Sequence, residues 1–255
     1  MAAPAFPTRP GRHRALALAA LLLAAGGARA DAASPALPES APPSAPFKFT
    51  AGHYQFAGGA TGTDVNLRHS SALGNAWIGY FESTGQDVRQ GRAGWDRTWG
   101  EPVRVTPSLQ LASQGFVGGS LQVETGERWF VGAGLGRTNL QPYWNLNFDP
   151  NDAYLLSAGH RADNGRTLAL QWIQDNRENP DQRHLHLYWR QALPDAQRLT
   201  VDLLYKEGRV DGVTIHRWGA SLSYDWPRYF LRLVYDPNAN FGTEDLWRLS
   251  LGTRF

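Results

Sequence analysis

The sequence predicts an all-β protein, a transmembrane antiparallel meander β-barrel of about fourteen strands. Three observations predict it. Short segments alternate apolar and polar residues with period 2, and no segment of helical length carries a 3.6-residue period. The polar faces bear small or charged groups on nearly every strand, more than the one solvated face of a compact sandwich requires. Trp and Tyr recur at strand ends on the apolar face: Trp129, Trp144, Trp172, Trp189, Tyr205, Trp218, Tyr224, Tyr229, Tyr235 and Trp247. An amphipathic ring favours the headgroup level of a bilayer, so this spacing fits aromatic girdles. The competing architecture is a soluble sandwich or lipocalin-like barrel with its apolar faces inward.

The elements follow in order. Residues 1–30 read as a secretory signal. Arg9, Arg12 and Arg14 form a basic start, and 15–25 (ALALAALLLAA) form an apolar run too short to span a bilayer as a helix. Ala28-Arg29-Ala30 fits a cleavage site, which makes Asp31 the first mature residue. Residues 31–47 form a Pro/Ala-rich leader on the periplasmic side, with Pro35, Pro38, Pro42, Pro43 and Pro46 holding it extended. The barrel is expected over 48–255. Alternation is clear at 103–111, 128–136, 167–173, 184–190, 198–206, 217–224 and 229–236, and less regular at 48–56, 64–70, 75–83, 91–99, 117–124 and 153–161. In 75–83, Ile78 and Tyr80 oppose Trp77 and Phe81, so neither face is polar and the segment's orientation stays open. The last run places Trp247, Leu249, Leu251 and Phe255 on one face and Arg248, Ser250, Gly252 and Arg254 on the other. Counting 141–148 (QPYWNLNF) gives fifteen strands, whereas single-chain bacterial barrels use even numbers. Reading that segment as a loop gives fourteen; twelve and sixteen stay open. So many strands in a short chain leave little for loops, which argues against a long plug.

Charge and cysteine content narrow the function classes. The full chain has 25 Lys+Arg and 23 Asp+Glu, but four Arg (9, 12, 14 and 29) leave with the signal. The mature chain then has 21 basic and 23 acidic groups, so its formal charge is −2 and no nucleic-acid partner is expected. With no Cys, disulfides, thiolate metal sites and Cys nucleophiles are all excluded.

A signal followed by alternating strands and a closing Phe255 resembles the outer-membrane β-barrel class of Gram-negative bacteria. The residues that carry the likeness are Trp247, Leu249, Leu251 and Phe255, with Thr253 departing where an apolar residue is commoner. The resemblance implies insertion by the barrel-assembly machinery, which reads such a terminal strand, and contact with outer-membrane lipid and lipopolysaccharide. The segment 49–56 (FTAGHYQF) is also similar to the YaiO-type outer-membrane barrels, a likeness that implies no reaction.

Several constellations bear on chemistry. His184 and His186 sit two apart on a strand and share a face, which is ligand spacing, yet no third ligand is visible in the sequence. No metal or cofactor is therefore assigned. His69 shares a strand face with Ser71, but there is no GxSxG and no further triad partner. Residues 132–136 (GAGLG) lack phosphate-loop spacing and put three glycines on one face, which opens space or permits bending. The stretches 148–152 (FDPND) and 235–240 (YDPNAN) offer oxygens for Ca²⁺ but are also ordinary turn chemistry. The late strands carry an inward polar series, His184, His186, Arg190, Asp202, Lys206, Arg217, Arg232, Asp236 and Arg248, continued by Arg254. Such groups either pair into a closed polar core or line a water path that favours anions. The expected function is a passive small-solute pore or a structural barrel with an Arg-rich lumen. The alternatives are a barrel-wall lipid hydrolase using His69, Ser71 or His184, and a soluble exported ligand-binding β-barrel.

Overall fold

The computed structural model describes residues 45–147 and 149–255; the expected signal and residues 31–44 of the leader lie outside them. Fourteen strands form one closed antiparallel meander. In chain order they are β1 (Phe47–Phe56), β2 (Thr61–Ser71), β3 (Gly74–Thr84), β4 (Val88–Asp96), β5 (Val103–Ala112), β6 (Phe116–Thr125) and β7 (Trp129–Thr138). They continue with β8 (Ala153–Arg161), β9 (Arg166–Asp175), β10 (Arg183–Ala192), β11 (Arg198–Val210), β12 (Val213–Asp225), β13 (Tyr229–Asp236) and β14 (Leu246–Arg254). The expected fourteen strands are all present, and 141–148 belongs to a loop. Among the described residues no helix is long and apolar enough to cross a membrane. The expected strand at 91–99 begins and ends three residues earlier, because past Asp96 only Trp99 keeps a bridge, to Val105.

Closure is built by the first and last strands. β1 pairs with β14 from Lys48↔Arg254 to Phe56↔Leu246. Phe47 and Phe255 complete it with reciprocal backbone hydrogen bonds of 2.9 and 3.0 Å. No sheet edge is left, which removes the hazard of unpaired backbone groups in an apolar solvent.

Pairing in register gives every strand one outward and one inward face. Leu187, Leu203 and Leu233 all face outward, each about two-fifths exposed. Outward Trp and Tyr gather toward both strand ends. Trp129 and Tyr229 mark the end that carries Phe47 and Phe255, while Tyr154, Trp218 and Trp247 lie toward the opposite end. The soluble alternative, with apolar faces inward, is thus overturned: the aliphatic residues clothe the outside. One girdle residue is misassigned, since Trp144 lies in the lumen, where it stacks on Phe81 at 6.2 Å.

The long connections are not shared evenly. Residues 139–152, 176–182 and 237–245 all emerge at the end opposite Phe47 and Phe255, and turns at the other end are shorter. The 139–152 and 237–245 loops fold inward. Leu146 and Ala239 from these loops pack with the inward Tyr54, Phe56, Phe81 and Leu246 in one buried apolar cluster. This corrects the expectation of no long plug, and it explains 75–83: Ile78 and Tyr80 face outward, and Trp77 and Phe81 face a filled lumen.

Candidate functional site

The lumen has two levels, set by how far the loops reach in. At the loop end the loops fill much of the interior. Tyr143 stacks on Phe116 at 4.3 Å, and Trp144 meets Phe56 edge-on at 6.0 Å. Gln90 on β4 clamps Trp144, accepting from its N–H at 2.7 Å and donating to its carbonyl at 2.9 Å. Burial pushes the Tyr143 hydroxyl up to about 12 against the pull of the Arg92 guanidinium, so it stays protonated. The second loop holds the first: Asn240 donates to the Asn145 carbonyl at 2.9 Å, and Arg248 of β14 donates to the Leu146 carbonyl at 2.8 Å.

Charges at this level are paired. Lys206, fully buried, donates to Asp236 at 2.6 Å and to the carbonyls of Pro237 and Asn238. Arg92 reaches both oxygens of Asp64, at 2.7 and 2.8 Å. At the opposite end of the barrel, Arg104 and Arg161 both hold Glu124. Buried charges need such partners, because removing one leaves the other uncompensated in a low dielectric.

The expected lumen residues divide between the two levels. Lys206 is sealed inside, and its partner Asp236 also borders the cavity below. Arg217 has the inward parity but stands exposed at the rim, donating to Asn238 at 3.2 Å. Below the loops, Arg190, Arg232 and Arg248 line a cavity of about 130 Å³ together with Arg254, Lys48 and Arg198. Arg198 and Arg254 converge on Asp225, Arg232 donates to Ser223 at 2.9 Å, and the Arg190 Nε is buried without a hydrogen-bond partner. The inward series is therefore paired at the loop level and lines a cavity below it. The sequence reading passed over Arg198 and Lys48, although each shares the inward parity of its strand. A second cavity, about 80 Å³ and lined by Ser108, Gln110, Ser120 and Asn151, lies on the β5–β9 side.

His184 and His186 do share a face, and the structure supplies the third group that the sequence hid. Asp149 of the 139–152 loop places Oδ1 2.8 Å from His184 Nδ1 and 3.0 Å from His186 Nε2. The other nitrogen of His186 lies 3.1 Å from both oxygens of Asp202. Burial alone would raise the Asp149 carboxyl, but the charge of His186 and hydrogen bonds from both rings outweigh it and hold the carboxyl well below the ordinary carboxylate range. The one sequence signal for Asp149 was its position in 148–152, read there as turn or Ca²⁺ chemistry. In that stretch Asp152 serves the loop instead, accepting from the Thr138 N–H at 3.1 Å and from Arg177 at 3.1 Å.

His69 and Ser71 are not assembled into a nucleophile. His69 lies outward against Phe47, with ring centroids 4.7 Å apart and planes tilted by 34°, and the Ser71 hydroxyl closes the β2–β3 turn, donating to the Gly74 carbonyl and accepting from the Leu73 N–H, each at 3.2 Å. The glycines of 132–136 are structural. A Cβ on Gly136 would sit 2.1 Å from the Asn151 carbonyl oxygen, so this glycine admits the returning loop, while Gly132 and Gly134 make room for Ser157 and Gln122 of the neighbouring strands. Trp247, Leu249, Leu251 and Phe255 lie together on the outer surface of the closing strand.

No protein-family model matches the chain, and no curated protein sequence matches it. Solved structures do resemble it. The outer membrane protein Omp33 of Acinetobacter baumannii aligns at 11% identity over 83% of this chain and 98% of its own, with a TM-score of 0.52. Salmonella typhi OmpF aligns at 10% identity over 82% and 96%, TM-score 0.44. The NanC porin aligns at 8% identity over 82% and 100%, TM-score 0.43. The last two scores are too low to bear on the fold. Fourteen closed antiparallel strands with an aliphatic exterior form a β-barrel whose fold is similar to that of the outer membrane protein Omp33.

Proposed function

We propose that this chain resides in the outer membrane of a Gram-negative bacterium as a narrow, anion-favouring passive pore, with the 139–152 loop as its constriction. The observation that carries the reading is the composition of the larger cavity. It is lined by six Lys or Arg and four Asp, and its wall runs from Lys48 and Arg254, near the terminal end of the barrel, up to Asp149 on the underside of the loop. Two of those carboxylates flank His186 and a third holds Lys206, which leaves Asp225 to face the arginines. In a low-dielectric wall such an excess concentrates anions. The outer face meets lipid and lipopolysaccharide in this reading, and the Trp247–Phe255 strand is the segment offered to the assembly machinery. The likeness of 49–56 to YaiO-type barrels adds no reaction to it.

The test is conductance in planar bilayers. Wild type is expected to give small channels with anion preference. Arg190→Glu combined with Arg232→Glu should move the reversal potential toward cations. These two are preferred to Arg248 because Arg248 also holds the Leu146 carbonyl, so replacing it would disturb the loop. An unchanged reversal potential would show that ions do not pass this wall. Absence of conductance in wild type and in a loop-shortened variant would identify a structural barrel with a filled lumen.

A further inference from the structure

The junction between the 139–152 loop and the β10 wall has an arrangement that the pore reading does not require. Three ligand atoms from Asp149, His184 and His186 lie within 4.8 Å of one another, and both imidazoles are buried. One oxygen of Asp149 faces a nitrogen of each ring, at 2.8 and 3.0 Å. Donor atoms around a tetrahedral Zn²⁺ at about 2.0–2.1 Å sit roughly 3.3 Å apart. The two Asp149 contacts need to open by a few tenths of an ångström, and the two ring nitrogens to settle at the same separation, to hold the ion.

Two further features separate this cluster from an ordinary polar lining. His186 meets carboxylates on both sides. With protons alone, its ring must be an N–H donor at Nδ1 and at Nε2, hence a buried cation between two acids. With a metal, Nδ1–H still donates to Asp202, and Nε2 turns its lone pair to the ion. That is the carboxylate–histidine–metal arrangement by which an outer carboxylate fixes the tautomer and raises ligand basicity. The second feature is charge: Asp149 and Asp202 together balance a divalent ion, while the nearby Lys206 is already neutralised by Asp236. The cavity of about 130 Å³ touches Asp149 and His186, so a water can complete the coordination.

We propose that Asp149, His184 and His186 bind Zn²⁺, with Asp202 orienting His186, and that the ion clasps the lumen loop to the barrel wall. Imidazole and carboxylate donors without sulfur suit a borderline divalent ion of this kind. Binding releases the Nε2 proton of His186, because Nδ1 keeps its own proton toward Asp202, and the proton that His184 holds toward Asp149 is released or moved to the His184 Nε2. Binding itself is independent of the pore reading; only its effect on current rests on that reading.

The test uses the full barrel folded in detergent, stripped with chelator, and titrated with Zn²⁺ by calorimetry and with Co²⁺ by visible absorption. One ion per barrel and a Co²⁺ ligand-field spectrum are expected. Asp149→Asn, His184→Ala and His186→Ala should each abolish the spectrum. Asp202→Asn should keep it but weaken affinity by about 10–100-fold, the usual cost of losing an orienting carboxylate. Heat-dependent gel mobility checks that each variant is folded, and His186→Gln replaces any that is not. Binding that persists in folded His184→Ala/His186→Ala, or no spectrum in the folded wild type, would overturn the site. In bilayers Zn²⁺ should reduce wild-type current and leave His186→Gln unaffected. Stoichiometric binding at these ligands with unchanged current would keep the site and overturn the clasp.

Discussion

At the scale of single residues, the most deeply buried lumen charges hold the interior in a defined arrangement because they are paired. Arg92 and Asp64 show this most simply. They face each other inside the barrel with side-chain exposures of 5% and 11%, and the guanidinium takes both carboxylate oxygens. Arg92→Met leaves Asp64 buried and uncompensated, so it should cost about 3–5 kcal/mol in denaturant unfolding from lipid vesicles. The double variant Arg92→Met/Asp64→Leu should recover most of that, because the pair's own desolvation is then avoided. A single-variant cost below about 1 kcal/mol would mean that water reaches this level of the lumen. Parity in the sequence was enough to place Arg190, Arg232 and Arg248 inside. It was not enough to say which inward charges pair, since pairing depends on cross-strand register and on loops. Lys206 illustrates the gap: its partners Asp236, Pro237 and Asn238 lie some thirty residues away in sequence, at and just beyond the end of β13.

At the scale of elements, the decisive piece is the 139–152 loop. Its stretch 141–148 alternates as well as several true strands do, and only the even-number rule argued it out of the sheet. It is no strand because its backbone turns on itself: Asn145 accepts from the Asn147 N–H at 2.9 Å and donates to the Asp149 carbonyl at 3.0 Å. Its apolar residues are needed for the lumen. The signal for an inserted loop was present but dispersed, in the inward-parity aromatics Tyr54, Phe56, Phe81 and Phe116, all in the halves of their strands nearest the loops. A water-filled barrel has no use for such residues; an occupied one requires them. Replacing 142–148 by two glycines should raise single-channel conductance several-fold and leave the barrel's heat-dependent mobility intact. Unchanged conductance would show that the constriction lies elsewhere.

At the scale of the whole molecule, the account depends on which solvent meets the outer surface. An exterior banded by Leu, Val and Ile over most strands far exceeds the few hundred Å² of contiguous apolar patch that a soluble monomer leaves exposed. Lipid is the medium that makes this surface favourable, and closure through β1 and β14 satisfies the backbone there. Period 2, aromatic placement and turn chemistry made this level legible from sequence, because a barrel's two faces see different solvents along every strand. The chain has no Cys, so single cysteines can be placed cleanly. The most direct measurement attaches nitroxide labels at Leu187→Cys, Leu203→Cys and Leu233→Cys, and at the inward Thr200→Cys and Ser221→Cys, in barrels reconstituted into vesicles. Collision with membrane-dissolved oxygen should be high at the three leucine positions and low at Thr200 and Ser221. The reverse pattern, or high exposure of the leucine positions to a water-soluble nickel chelate, would contradict the account.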